Sequence, residues 1–255
     1  MSGPLFTGVG VALATLFDEA GELDAKATAG HAAILVELGV RAVVVAGSTG
    51  EASALTSEER LALLTEARKA VPAEVPVIAG TGAPSARQAA ALTLDAREAG
   101  ADAVLALCPP RNNDPRPYYQ AIAEAAGDLP SLAYHFPQTS PPGIPVEALP
   151  DLPIQGLKDS SGSPERLLAE LQVFHRPLYV GSAPLLLMAG SLGIAGAILA
   201  VANVDPEHAI AALAGDPAAQ RSLFAAHKQV QARFPLGLKE AIADRFGTST
   251  TTRLG

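Results

Sequence analysis

The chain has 255 residues, 49% of them hydrophobic but only 4% aromatic, with a single cysteine and a formal charge of −8. That length and palette fit one large core of Ala, Val, Leu and Ile, which suits helices laid on parallel strands better than an aromatic-rich sandwich. The acidic balance gives no basic footprint for nucleic acid or an anionic membrane, and the lone Cys108 excludes an internal disulfide and a cysteine-based metal cluster.

The N-terminal MSGPLFTG lacks a basic region followed by an apolar core, and no run reaches the ~18 apolar residues of a membrane span. The most apolar stretch, Leu185 to Val201, is interrupted by Gly190, Gly193 and Gly196. A soluble, cytoplasmic protein is expected.

Along the chain, eight short apolar runs read as strands: 8–14, 42–47, 75–80, 103–107, 131–135, 154–158, 178–181 and 197–201. Helical stretches separate them. Thr56 with Glu59 and Ser85 with Gln88 read as capping boxes, in which each side chain satisfies a free N–H at the helix start. Ser163 and Asp205 read as N-caps before a proline in the first turn, and Gly39 and Gly100 as C-terminal stops. Every unit is thus predicted as strand, loop, helix. Right-handed crossovers leave a doubly wound sheet or a closed (β/α)8 TIM barrel, and eight units in roughly 200 residues favour closure. Three further helical stretches follow, at 206–214, 217–234 and 236–246, before a tail, TSTTTRLG, that reads as frayed. Residues 1–205 are assigned to the barrel and 206–255 to a short C-terminal helical extension packed on the same domain.

In such a barrel the carboxyl ends of the strands converge on the face that carries chemistry. GSTGE (Gly47 to Glu51) follows the second strand, and its N–H groups and the Ser48 and Thr49 hydroxyls could face a carboxylate; it could equally be a plain glycine-rich turn. Tyr134 ends the fifth strand, where its phenol is either a proton carrier or a buried core group. Lys158 ends the sixth. Four of the five lysines (Lys26, Lys69, Lys228 and Lys239) lie in amphipathic helical patterns, and only Lys158 ends a strand. With an ordinary pKa near ~10.4 it would be well under ~1% neutral at pH 7, but burial raises that fraction and makes it a nucleophile towards a ketone. The competing reading is a buried ion pair with Glu51 or Asp159. The Gly181–Ser182 turn could seat a hydroxylated substrate tail. Cys108 has no obvious partner base and reads as a small buried apolar group. The five histidines have no ligand spacing, so no metal is implied.

Taken in order, GSTGE, GTGA (Gly80 to Ala83), Tyr-x-x-Pro (Tyr134 to Pro137), Gly-x-Lys (Gly156 to Lys158) and AILAVANV (Ala197 to Val204) resemble the dihydrodipicolinate synthase / N-acetylneuraminate lyase family. The resemblance runs from about Phe6 to Gly247. It implies a (β/α)8 barrel that binds pyruvate, or a 2-oxo acid containing it, as an imine on an active-site lysine. Residue by residue, the Schiff-base lysine falls on Lys158, the proton-relay tyrosine on Tyr134, and the carboxylate-holding hydroxyls on Ser48 and Thr49. Gly47, Gly181 and Ile198 are placed at the substrate by the same resemblance, and Arg111 is a candidate cation for an acidic second substrate.

Two departures bear on the substrate. Family members that make dihydrodipicolinate carry an arginine five positions after the strand-five tyrosine, where this chain has Thr139. Many members carry a Tyr-Tyr pair after strand four, where this chain has Pro110 and Arg111; Tyr118 and Tyr119 lie further on, in the next helix. GLKDSSG, VGSAPLLLMAGSLG and RFPLGLKEAIADRFG look most like the 4-hydroxy-2-oxoglutarate aldolase branch. The expectation is therefore a cofactor-free, homo-oligomeric, class I aldolase or lyase. It would act on pyruvate plus an aldehyde, through 4-hydroxy-2-oxoglutarate or a 2-oxo-3-deoxy sugar acid. Dihydrodipicolinate synthase itself, and a barrel that binds 2-oxo acids without turnover, are the rival readings.

Overall fold

A computed structural model describes residues 3–254. Eight parallel strands pair in chain order: β1 (Gly8–Ala12), β2 (Ala42–Val45), β3 (Val77–Gly80), β4 (Ala103–Leu107), β5 (Ser131–His135), β6 (Gly156–Asp159), β7 (Leu178–Val180) and β8 (Gly196–Leu199). The last returns to β1 and closes the barrel. Six of the strands are apolar throughout, as both-face burial favours, while β5 and β6 carry buried polar residues, Ser131, His135, Lys158 and Asp159. Inward residues such as Val44, Ile78, Leu105, Leu132 and Ile198 form one cluster, and outward residues pack in another beneath the helices. Phe6 plugs the amino end, stacked on Tyr179 with ring centroids 4.6 Å apart.

The helices α1 (Ala25–Glu37), α2 (Ser57–Ala70), α3 (Ala86–Glu98), α4 (Arg116–Ala126), α5 (Pro164–Val173), α6 (Leu186–Ser191) and α7 (Pro206–Leu213) cover the strands, and α8 (Pro217–Ala232) and α9 (Leu236–Phe246) follow. Thr56 and Glu59 form the reciprocal capping box. At α3 only half of the second box is present: Ser85 accepts the Gln88 N–H, but the Gln88 side chain bonds the Ser85 hydroxyl instead of its N–H.

Three expectations are corrected. The β5 unit carries no α-helix; Val146–Asp151 is a 3₁₀ turn, because Pro145, Pro150 and Pro153 in PVEALPDLP remove donors and fix φ where a helix would have to run. Strand β2 stops at Val45, since Ala46 turns to φ +52°. The tail is not frayed. Lys239 donates to the Thr251 carbonyl at 2.8 Å, and the Arg253 and Leu254 N–H groups donate to Glu51 at 2.8 and 2.9 Å. The Arg253 guanidinium bonds Glu59 and the Gly21 and Ala54 carbonyls and lies over the Phe17 ring.

Candidate active site

Because side chains alternate along a strand, residues in register on neighbouring strands share a face. Leu107, Tyr134, Lys158 and Tyr179 stand in one such row across β4 to β7, all pointing inward. Above the row, the carboxyl ends of the strands open into a cleft of about 1230 Å³. Gly47, Ser48, Thr49, Tyr134, Lys158, Gly181 and Ile198 all line it; Arg111 does not. Arg111 sits outside on the β4 loop at φ +61°, its N–H donated to the Pro141 carbonyl.

Lys158 is 4% exposed, with its Nζ 4.2 Å from the centre of the Tyr134 ring. Among the described residues no carboxylate comes within ion-pair distance of it. Glu51 instead faces Lys239 at 3.2 Å. Asp159 points outward, accepting from the Ser161 N–H and hydroxyl at 2.8 Å, with the Arg166 guanidinium 3.8 Å away. The ion-pair reading of Lys158 therefore does not hold. With its charge uncompensated, burial pulls the Lys158 pKa down to about 7, so a large share of the amine is neutral near neutrality.

Tyr134 is pushed up to about 12 by burial, against a smaller opposite pull from the adjacent Ser160 and Ser48 hydroxyls. It stays protonated and can give a proton to a nascent oxyanion. Ser160 was not singled out from the sequence; its only signal there was its place two residues after the lysine.

The GSTGE turn is held in a strained shape by positive φ at both ends, +52° at Ala46 and +54° at Glu51. The N–H groups of Gly50, Glu51 and Ala52 close back onto the Gly47 and Ser48 carbonyls, and Thr15 donates its hydroxyl to the Gly50 carbonyl at 2.7 Å. Among the described residues, the Ser48 and Thr49 N–H groups make no hydrogen bond and remain free for an anion.

Gly181 closes the far wall. A Cβ there would stand 1.8 Å from Ser160 Oγ and 3.0 Å from Lys158 Cε, so the missing side chain is what admits the lysine stem. In the 3₁₀ turn just after β8, AILAVANV contributes Asn203, also missed. It accepts the Ala14 N–H and donates to the Ala12 and Ala200 carbonyls, tying the loop after β8 to β1. Tyr118 and Tyr119 are not aimed at the lysine: their hydroxyls bond the Leu107 and Ala106 carbonyls. Cys108 is buried, its thiol pushed up to about 11. Among the described residues no three His, Cys, Asp or Glu are grouped to hold a metal, and no helix is long and apolar enough to cross a membrane.

The chain matches the family model described as the dihydrodipicolinate synthetase family over residues 5–234. A 4-hydroxy-tetrahydrodipicolinate synthase of Pseudomonas aeruginosa is 34% identical over 233 residues, 86% of this chain and 80% of that protein. An uncharacterized DapA-like lyase of Halobacterium salinarum is 36% identical over 208 residues, 78% of this chain and 68% of that one. Among solved structures, YagE of E. coli K12, a prophage protein of the dihydrodipicolinic acid synthase family in complex with pyruvate, superposes with a TM-score of 0.90 at 28% identity, covering 98% of this chain and 92% of that one.

Proposed function

The chain belongs to the dihydrodipicolinate synthetase family and is a pyruvate-dependent carbon–carbon lyase of the Schiff-base class; from that premise we propose that its reaction is the reversible aldol cleavage of a 4-hydroxy-2-oxo acid into pyruvate and an aldehyde. The observation that carries this reading is the unpaired, buried Lys158 beside Tyr134 at the foot of the cleft. The Lys158 amine attacks the C2 ketone, and Tyr134 gives a proton to the oxygen that leaves as water. The iminium then draws electrons from the C3–C4 bond as the C4 hydroxyl loses its proton to the Tyr134 oxygen. The aldehyde departs, the enamine takes that proton at C3 from the Tyr134 hydroxyl, and water adds to the iminium to release pyruvate and free the Lys158 amine. Ser48 and Thr49 hold the carboxylate throughout. No redox step is involved.

Incubation with pyruvate and borohydride, followed by intact mass, tests the imine. The expected result is one reduced pyruvate adduct on the parent and none on Lys158→Ala. Absence of an adduct on the parent would remove the mechanism. Tyr134→Phe is expected to lower kcat by about 100-fold or more while the adduct still forms on long incubation, since only the proton carrier is lost. Gly181→Ala should displace the lysine stem and Ser160 and reduce kcat/KM about 100-fold; parent-like kinetics would mean that the stem is not confined by this turn.

The names of the relatives favour a second reading, 4-hydroxy-tetrahydrodipicolinate synthesis from pyruvate and aspartate semialdehyde. Thr139, in place of the arginine expected for that substrate, speaks against it. Turnover of aspartate semialdehyde at a rate above that with any other aldehyde would establish it.

A further inference from the structure

Resting on the lyase reading above, we propose that the aldehyde handled at this site is uncharged, carrying hydroxyl groups and no carboxylate or phosphate. With the pyruvyl carboxylate at Ser48 and Thr49 and the imine on Lys158, Tyr134 on β5 is the proton carrier beside the reacting bond, which puts the aldehyde half on the side of the loops after β4 and β5. The cleft wall there is Leu107, Pro109, Pro110, Phe136, Gln138 and Thr139, every one neutral. Phe136 stacks on Tyr134 with centroids 5.9 Å apart, giving this wall an apolar face directly beside the reacting carbon.

No cation among the described residues of the cleft stands on the loops after β4 and β5. Among the described residues its only guanidinium belongs to Arg60 on α2, where the Gly80 and Ala52 carbonyls, at 3.0 and 2.6 Å, hold two of its five donors on the β2–β3 side of the cleft. Lys158 on β6 becomes the iminium, whose charge sits on the pyruvyl C2–N bond, next to the carboxylate already held there, and not on the β4 and β5 loops. His227, on α8, has its pKa lowered by burial and is neutral at neutral pH. The carboxylate that does line the cleft, Asp95, repels an anion. Arg111 is outside. A carboxylated aldehyde would thus leave its charge desolvated and unpaired, a penalty an alcohol of the same size avoids. Hydroxyl partners are available from Thr139, Ser160 and Ser182. Of the two acid classes suggested by the sequence, this selects the 2-oxo-3-deoxy sugar acids over 4-hydroxy-2-oxoglutarate, whose aldehyde half is an acid.

The test is condensation of pyruvate with glycolaldehyde and with glyoxylate, an alcohol and a carboxylate of nearly equal size, on protein already shown to trap pyruvate. The expected kcat/KM for glycolaldehyde exceeds that for glyoxylate by about 100-fold or more. Thr139→Arg is expected to narrow the ratio at least about tenfold by adding a guanidinium to the neutral wall; a ratio that stays put overturns the placing of the aldehyde there. Equal or better use of glyoxylate or aspartate semialdehyde by the parent, with pyruvate still trapped, overturns the inference and leaves the lyase reading standing. If pyruvate is not trapped at all, both fall.

Discussion

Lys158→Met is expected to abolish imine formation and, at the same time, to make the protein more stable. The methionine keeps an unbranched stem of similar length against the Tyr134 ring and removes the amine. The stability gain follows from the direction of the pKa shift. Burial lowers the Lys158 pKa from 10.5 in the unfolded chain to about 7 in the fold. Below pH 7 both states hold the proton, and the fold bears the full cost of a buried ammonium. Between about 7 and 10.5 the unfolded chain binds one more proton than the folded one, so stability rises with pH and the cost fades. At about 1.4 kcal/mol per pH unit, Lys158→Met should therefore exceed the parent by on the order of a few kcal/mol near pH 6 and by little above pH 10.5. Urea unfolding at the two pH values measures this; equal stabilities near pH 6 would show that the ammonium is compensated. The parent's rate of pyruvate imine formation should climb through pH 7 and then level, tracking the neutral amine. A buried group that weakens the fold is the trade expected at a functional site, and the two measurements together test whether Lys158 is one.

Lys239→Ala is expected to cost about 3 to 5 kcal/mol and to raise the KM for pyruvate. This lysine is fully buried, 3.2 Å from Glu51, and its Nζ lies 4.5 Å from the centre of the Phe17 ring. Truncating it leaves the Glu51 carboxylate buried with only the two N–H groups of Arg253 and Leu254, and it releases the Thr251 carbonyl. Glu51 also ends the turn that carries Ser48 and Thr49, at a strained φ of +54° that its neighbours must maintain. Loosening it should therefore reach the turn proposed to hold the pyruvyl carboxylate. The double variant Lys239→Met with Glu51→Gln removes both charges and should recover much of the stability, because the penalty comes from the stranded partner. Unfolding midpoints and pyruvate KM for the three proteins decide this. A double variant no more stable than Lys239→Ala would place the loss in packing alone.

Strand identity was legible because it depends on short-range signals. Continuous apolar runs bounded by glycine, proline and helix caps mark both-face-buried strands, and β4 and β5 fall on the predicted residues. Lys158 could be picked out for the same reason: it stands at the end of such a run, where strand period and barrel geometry together aim it into the mouth. The missing α-helix after β5 was visible in principle, since the prolines that prevent it stand in the sequence.

The sequence by itself thus pointed to eight parallel strands, with closure favoured, and to Lys158 and the GSTGE turn as strand-end candidates that the closed barrel brings to one cleft. Only the tertiary structure decided which lysine answers Glu51. Lys158 and Lys239 both lie among apolar residues, and a helical pattern cannot distinguish a solvated lysine from one sealed against a carboxylate some 190 positions earlier. It likewise decided that the polar tail is pinned by Glu51 and Glu59, that Ser160 stands beside Tyr134, and that Arg111 lies outside the cleft. Charge pairing and desolvation are set by what surrounds a group in space, and in this fold those surroundings come from opposite ends of the chain.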